Sequence, residues 1–137
     1  MTDSALRLYF ENPVGRVLEH PAGFAVVLYH PGKRKLHHLQ AFLTHTSQLM
    51  RVRNWNKMLG DQRLMAPFTD EESQWIVDYW LAPERQGRTI YGAVLLPNDV
   101  FARLSVNNIM HEAKAAALTY RMFDNEADAL AWLVKQP

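Results

Sequence analysis

The hydrophobic period of this chain first changes at Pro31-Gly32, from strand to helix, and that change limits the folds open to it. Before it, Leu6-Arg-Leu-Tyr-Phe10, Arg16-Val-Leu-Glu19 and Phe24-Ala-Val-Val-Leu-Tyr29 are short runs rich in β-formers. They are separated by Asn12-Pro13-Val14-Gly15 and His20-Pro21-Ala22-Gly23. Turn residues between such runs predict three antiparallel strands joined by tight turns. After it, Leu36, Leu39, Phe42, Leu43, Leu49 and Met50 recur at helical spacing, which predicts an amphipathic helix from about Arg34 to Arg53.

The rest of the chain alternates. Lys57-Met-Leu-Gly-Asp61 is a strand candidate. Phe68-Thr69-Asp70-Glu71-Glu72 has the form of a helix start, with Thr69 as N-cap, Glu72 closing a capping box and acidic groups at the positive end of the dipole. The helix it opens runs from Asp70 to about Leu81 and is ended by Pro83. Thr89-Ile-Tyr-Gly-Ala-Val-Leu-Leu96 is a nearly continuous apolar run of strand length, as expected for an inner strand covered on both faces. From Asn98, a good N-cap, the chain turns helical. Its stripe changes face there, from Val100, Phe101 and Leu104 to Val106, Ile109, Met110, Ala113 and Ala117, which predicts a kink or two short helices. Leu118-Thr-Tyr-Arg-Met-Phe123 is a last strand. Asp124 or Asn125 caps a helix whose Ala127, Leu130, Ala131 and Leu133, beside Trp132, pack back on the sheet. The order β-β-β-α-β-α-β-α-β-α implies right-handed parallel crossovers after the hairpins. The expected fold is a small α/β domain over residues 1–137, with N-terminal antiparallel hairpins leading into a mixed sheet packed by about four helices.

Composition bounds the function. With 137 residues, 48% of them hydrophobic, the chain can bury a core without a disulfide or structural metal. Fifteen Lys and Arg against fourteen Asp and Glu leave a formal charge of +1, too balanced for a broad nucleic-acid or anionic-membrane footprint. The absence of cysteine removes thiolate nucleophiles, CxxC redox pairs and cysteine-ligated metal sites. Met1-Thr2-Asp3-Ser4 lack a basic signal-peptide start, and no apolar run approaches the ~20 residues a membrane span needs. A soluble cytoplasmic protein, bacterial in style and without stable membrane insertion, is expected.

The closing Tyr120-Arg-Met-Phe-Asp-Asn-Glu-Ala-Asp-Ala-Leu-Ala-Trp-Leu133 resembles the "F-D-(acidic)-A-x-x-W-L" ending of the anti-sigma-factor-antagonist-like branch of STAS-domain proteins. That group is often compared with the CRAL-TRIO lipid-binding fold. Leu59-Gly60-Asp61 looks like the family's "L-x-D" at the end of a central strand, and Tyr91-Gly-Ala-Val-Leu-Leu96 like its next buried strand. The resemblance implies a small STAS-like α/β sandwich that binds or regulates without chemistry of its own. One departure matters. Signalling members carry a phosphorylatable serine or threonine just after the "L-x-D" strand, whereas here Gln62-Arg-Leu-Met-Ala-Pro-Phe68 intervenes before Thr69. Thr69 is the nearest candidate acceptor, and a plain helix cap accounts for it better.

Catalytic patterns are sparse. His30, His37, His38 and His45 invite a metal hypothesis, but His38 and His45 are seven residues apart on one helix, about 10 Å, too far to share a zinc. His111-Glu112 lacks the second histidine of the metalloprotease motif, since position 115 is Ala. Asn107, Asn108 and His111, at spacing three to four, offer a small hydrogen-bonding site on one helical face, and a solvated face where the two stripes change over is the favoured reading. No GxSxG elbow, phosphate loop or dinucleotide fingerprint is present, and no cofactor is expected. Asp61, Gln62 and Arg63 follow a parallel strand, where α/β sheets tend to place ligands, and Asp99 emerges at the same edge. The two carboxylates suit acid and base roles or a cation; helix capping and pairing with Arg63 is the favoured alternative. Trp75, Ile76, Tyr79 and Trp80 make the second helix apolar almost all round. One face belongs to the core and the other offers partner-binding anchors, unless Pro83 and Glu84-Arg-Gln-Gly-Arg88 fold over it.

Three functions therefore compete. The first is a non-catalytic binding or regulatory module acting through protein contact, as a homodimer or with a regulatory partner; it expects a filled core and an exposed helical surface. The second is a small apolar-ligand or lipid-binding module, which expects a large pocket lined by residues such as Trp55, Phe68, Trp75 and Tyr79. The third is a small acid/base enzyme, which expects Asp61 and Asp99 to converge in one cleft.

Overall fold

The computed structural model describes residues 5–82, 89–112 and 118–137. Strands β1 (Arg7–Asn12), β2 (Gly15–His20) and β3 (Phe24–Tyr29) form the antiparallel start. They are followed by α1 (Leu36–Arg53), β4 (Lys57–Asp61), α2 (Asp70–Trp75), β5 (Ile90–Leu95), α3 (Val100–Glu112), β6 (Leu118–Phe123) and α4 (Glu126–Val134). The six strands lie in sequence order in one sheet, and β3-β4, β4-β5 and β5-β6 pair in parallel. Over the described residues this is the mixed sheet with four helices that the alternation of strand and helix patterns predicts.

Tight turns make the hairpins. Gly15 opens β2 where a Cβ would lie 1.9 Å from the Leu28 carbonyl oxygen, so no other residue fits the close approach of β2 to β3. β1 carries a bulge between Leu8 and Phe10. On a sheet edge such a bulge twists the strand away from further pairing.

Alternation along the strands sorts the core into two layers. Val27 and Tyr29 of β3, with Val14, Val17 and Ala25, face α1, α2 and α3 and pack with Leu39, Phe42, Leu49, Ile76, Trp80, Val106 and Ile109. Phe24, Val26, Leu59, Ala93 and Leu95 face the other way and meet Ala129 and Leu133 of α4. Among the described residues, three helices thus cover one face and a single helix covers the other. No described helix is long and apolar enough to cross a membrane.

Several expectations change in detail. The helix begun at Asp70 does reach Leu81, but Ile76–Trp80 is wound as a π turn. α3 is one helix without a break over its described length. Its buried residues are Ala102, Val106 and Ile109, while Val100, Phe101 and Leu104 stay exposed, so the first apolar stripe lies on the surface instead of bending toward the core. Asp99, one residue after the expected Asn98, caps it: its Oδ1 accepts from the amides of Phe101 and Ala102 at 2.8 and 3.0 Å. In α4 the inward face is Ala129, Leu130 and Leu133 with Trp132, and Ala127 and Ala131 point to solvent. The expectations for Met1 to Ser4, for the Pro83 to Arg88 loop and for Ala113 and Ala117 lie outside the described residues.

Candidate functional site

The carboxyl ends of the parallel strands deliver the loops where function is expected. At the end of β4, Asp61 shares the α4 face with Leu59, and Arg63 turns back onto it. Arg63 donates from Nε to Asp61 Oδ1 at 3.0 Å and from Nη2 to Oδ2 at 2.8 Å. These bonds, with Asp61 as the nearby countercharge, raise the guanidinium's pKa above its ordinary value despite partial desolvation. The pair is half exposed on the Arg63 side. Asp99 belongs to the cap of α3, on the opposite face. No hydrogen bond or ion pair joins Asp61 to Asp99 among the described residues, and each already has partners of its own.

Thr69 forms the capping box as expected. Its Oγ1 accepts from the Glu72 amide at 3.1 Å, and Glu72 Oε1 accepts from the Thr69 amide at 2.9 Å. The Glu72 carboxylate has a second task that local spacing does not reveal. Arg34, from the loop before α1, donates to both of its oxygens at 3.0 and 2.9 Å and to the carbonyls of Ala66 and Pro67. Both side chains are 3% exposed, and the guanidinium lies over the Phe68 ring at 5.0 Å. The β4–α2 loop is thereby tied to the start of α1.

The aromatic residues of the second helix divide. Trp80 is buried, its indole N–H donating to the Leu43 carbonyl at 2.8 Å, so it is a core residue and not the partner anchor that the stripe suggested. Trp75 is half buried and packs beside Tyr79, ring centroids 5.3 Å apart, and Tyr79 reaches solvent. The more extensive exposed apolar group is elsewhere. Val100, Phe101 and Leu104 are 61%, 67% and 55% exposed on one side of α3. Leu64, 60% exposed, is brought to the same edge because Asn98 N–H donates to the Arg63 carbonyl at 3.0 Å. For Val100, Phe101 and Leu104 the sequence carries a signal, since they form the stripe that does not match the buried one; Leu64 carries none.

No protein-family model, curated protein or solved structure matches this chain.

Between the sheet and the helices lies a cavity of about 60 Å³ lined by residues including Val27, Met58, Gly60, Gln62, Phe68 and Trp80. Of the four aromatic residues expected in a large pocket, Phe68 alone lines it; Trp55, Trp75 and Tyr79 do not. Tyr29 also borders it, and burial raises its phenol pKa well above the ordinary value, so the ring is neutral at physiological pH. The histidines are scattered. His45 stacks on Phe10 at 3.8 Å, His20 on Phe24 at 4.1 Å, and His37 lies beside His38. No group of three His, Asp or Glu among the described residues is placed to hold a metal ion. Asn107, Asn108 and His111 are exposed on α3.

Proposed function

We propose that this protein is a cytoplasmic binding or regulatory module that acts by contact with a protein partner, without chemistry of its own. The observation that carries it is the exposed apolar cluster of Leu64, Val100, Phe101 and Leu104 at the carboxyl edge of the sheet. Single exposed apolar side chains are ordinary, whereas a cluster on one edge marks a contact surface. Aromatic anchors dominate such contacts, and Phe101 is the most exposed member. The resemblance to STAS-domain antagonists supports the same reading, with Leu59-Gly60-Asp61 at the end of β4 beside this edge. The separate engagements of Asp61 and Asp99 give acid/base catalysis no support.

A peptide-display selection tests it. Selection on the wild-type protein is expected to enrich apolar peptides, and Phe101→Asp, a surface change that leaves the fold intact, is expected to weaken them about 30-fold, the loss typical of a central anchor. Enriched peptides that bind Phe101→Asp equally well would overturn the proposal. A homodimer in light scattering that Phe101→Asp dissociates would assign the surface to self-association instead.

A further inference from the structure

We infer that the cavity above β4 and β5 is a binding site for a small amphiphile: a short aliphatic body carrying one O–H or N–H donor, accepted by Gln62. It goes beyond the surface contact proposed above and rests on different residues.

The first observation is a glycine with no structural need. Gly60 stands inside β4 without a positive φ, and a Cβ added there would meet only the Ala93 carbonyl oxygen, at 3.9 Å. Neither the backbone nor the packing calls for glycine. In a strand interior glycine weakens the sheet, and it often marks a place where something else approaches the backbone. Here the missing side chain leaves the floor of the cavity open, and Gly92, on the neighbouring strand opposite Met58, lines it too.

The second observation is Gln62, two residues on and 7% exposed. Its Oε1 is buried and has no hydrogen-bond partner among the described residues. Gln62 lines the same cavity, whose other walls are mainly aliphatic and aromatic carbon from Val27, Ile76, Trp80 and Ile109. The Trp80 N–H is already donated to Leu43 and is not free to serve it. A water held there would need about two to four polar partners. A molecule with an apolar body and a single donor satisfies the walls and the amide together. A cavity of about 60 Å³ holds on the order of five heavy atoms, since one water-sized sphere takes about 10–15 Å³.

Access and adaptability are also present. Met110 and Tyr120 border the cavity, Met110 half buried and Tyr120 40% exposed, so it has a rim at the surface. One wall is the π turn, through Ile76 and Trp80. Such turns recur at functional sites.

The test uses two isomers, 1-butanol, which has a donor, and diethyl ether, which has none. Each is titrated while the Met58 and Met110 methyl resonances are followed by NMR. Saturable shifts are expected with 1-butanol at about tenfold lower concentration than with the ether, because only the alcohol satisfies the buried acceptor. Gln62→Leu is expected to erase that preference, and Gly60→Val to abolish saturation by filling the floor, with Gly60→Ala as the milder form. Non-saturating shifts with 1-butanol, or equal midpoints for the two isomers in the wild type, would overturn the inference. That comparison needs neither variant to fold.

Discussion

Arg34 and Glu72 are 38 residues apart in sequence, yet their side chains form the most buried ion pair among the described residues. Removing one partner of such a pair leaves an uncompensated charge, a loss of about 3–5 kcal/mol. Removing the Thr69 cap alone takes away about 1 kcal/mol. Urea denaturation is therefore expected to show Glu72→Ala destabilised several times more than Thr69→Ala; equal losses would mean that the cap and not the pair holds the loop. His20 supplies a pH dependence. Its Nδ1 accepts from the Ala22 amide at 3.0 Å, and burial, partly offset by Glu126, lowers its pKa below the ordinary value. The unfolded chain then binds more protons than the folded one, so this contribution is whole above about pH 6.5 and is lost as pH falls toward the depressed folded value. His38, lowered by desolvation and by His37 and Lys35, acts in the same direction at the surface. Urea midpoints measured from pH 7 to pH 5 should fall less steeply for His20→Asn, which keeps an acceptor without the charge, than for the wild type. Parallel curves would remove His20 from the account.

At the scale of elements, capping and stripe direction decide more than helix propensity does. α3 shows this most clearly, since Asp99 satisfies two of its orphan amides while the helix turns Phe101 outward. Asn caps as well as Asp does, so Asp99→Asn is expected to stay within a few tenths of a kcal/mol of the wild type, and Asp99→Ala to lose about 1 kcal/mol. Thermal denaturation measures both, and a large loss with Asn would show that the negative charge itself matters there. α1 ends on Asn54 in the left-handed region, φ 57, which Asn tolerates better than most residues. The capping box of α2 was legible because it is written within four residues. The π turn was not, because Ile76 to Trp80 has ordinary helical spacing in the sequence.

For the whole molecule, the uneven cover of the sheet matters most. Three helices share one face, so a defect there has neighbours to relax against. Among the helices of the described residues, α4 alone covers the other face, where Ala129 and Leu133 meet Phe24, Val26, Leu59, Ala93 and Leu95. Leu133→Ala is accordingly expected to lose about 2–5 kcal/mol, as fully buried leucines do. The adjacent exposed Val134→Ala should change stability by no more than about 0.5 kcal/mol. Similar urea midpoints for the two variants would show that α4 does not seal that face. The order of elements along the chain and the change from antiparallel to parallel pairing were written in the chain, because both follow from hydrophobic period and turn residues, which act between near neighbours, whereas the side-by-side order of the parallel strands came from the tertiary structure. So were the Thr69–Glu72 box and the pairing of Asp61 with Arg63, both within a few residues. Tertiary structure alone decided that Trp80 is core, that Arg34 reaches Glu72, and that Gly60 and Gln62 face a common cavity. Those outcomes depend on which segments the sheet brings together, and contacts between distant segments leave no periodic trace in a single sequence.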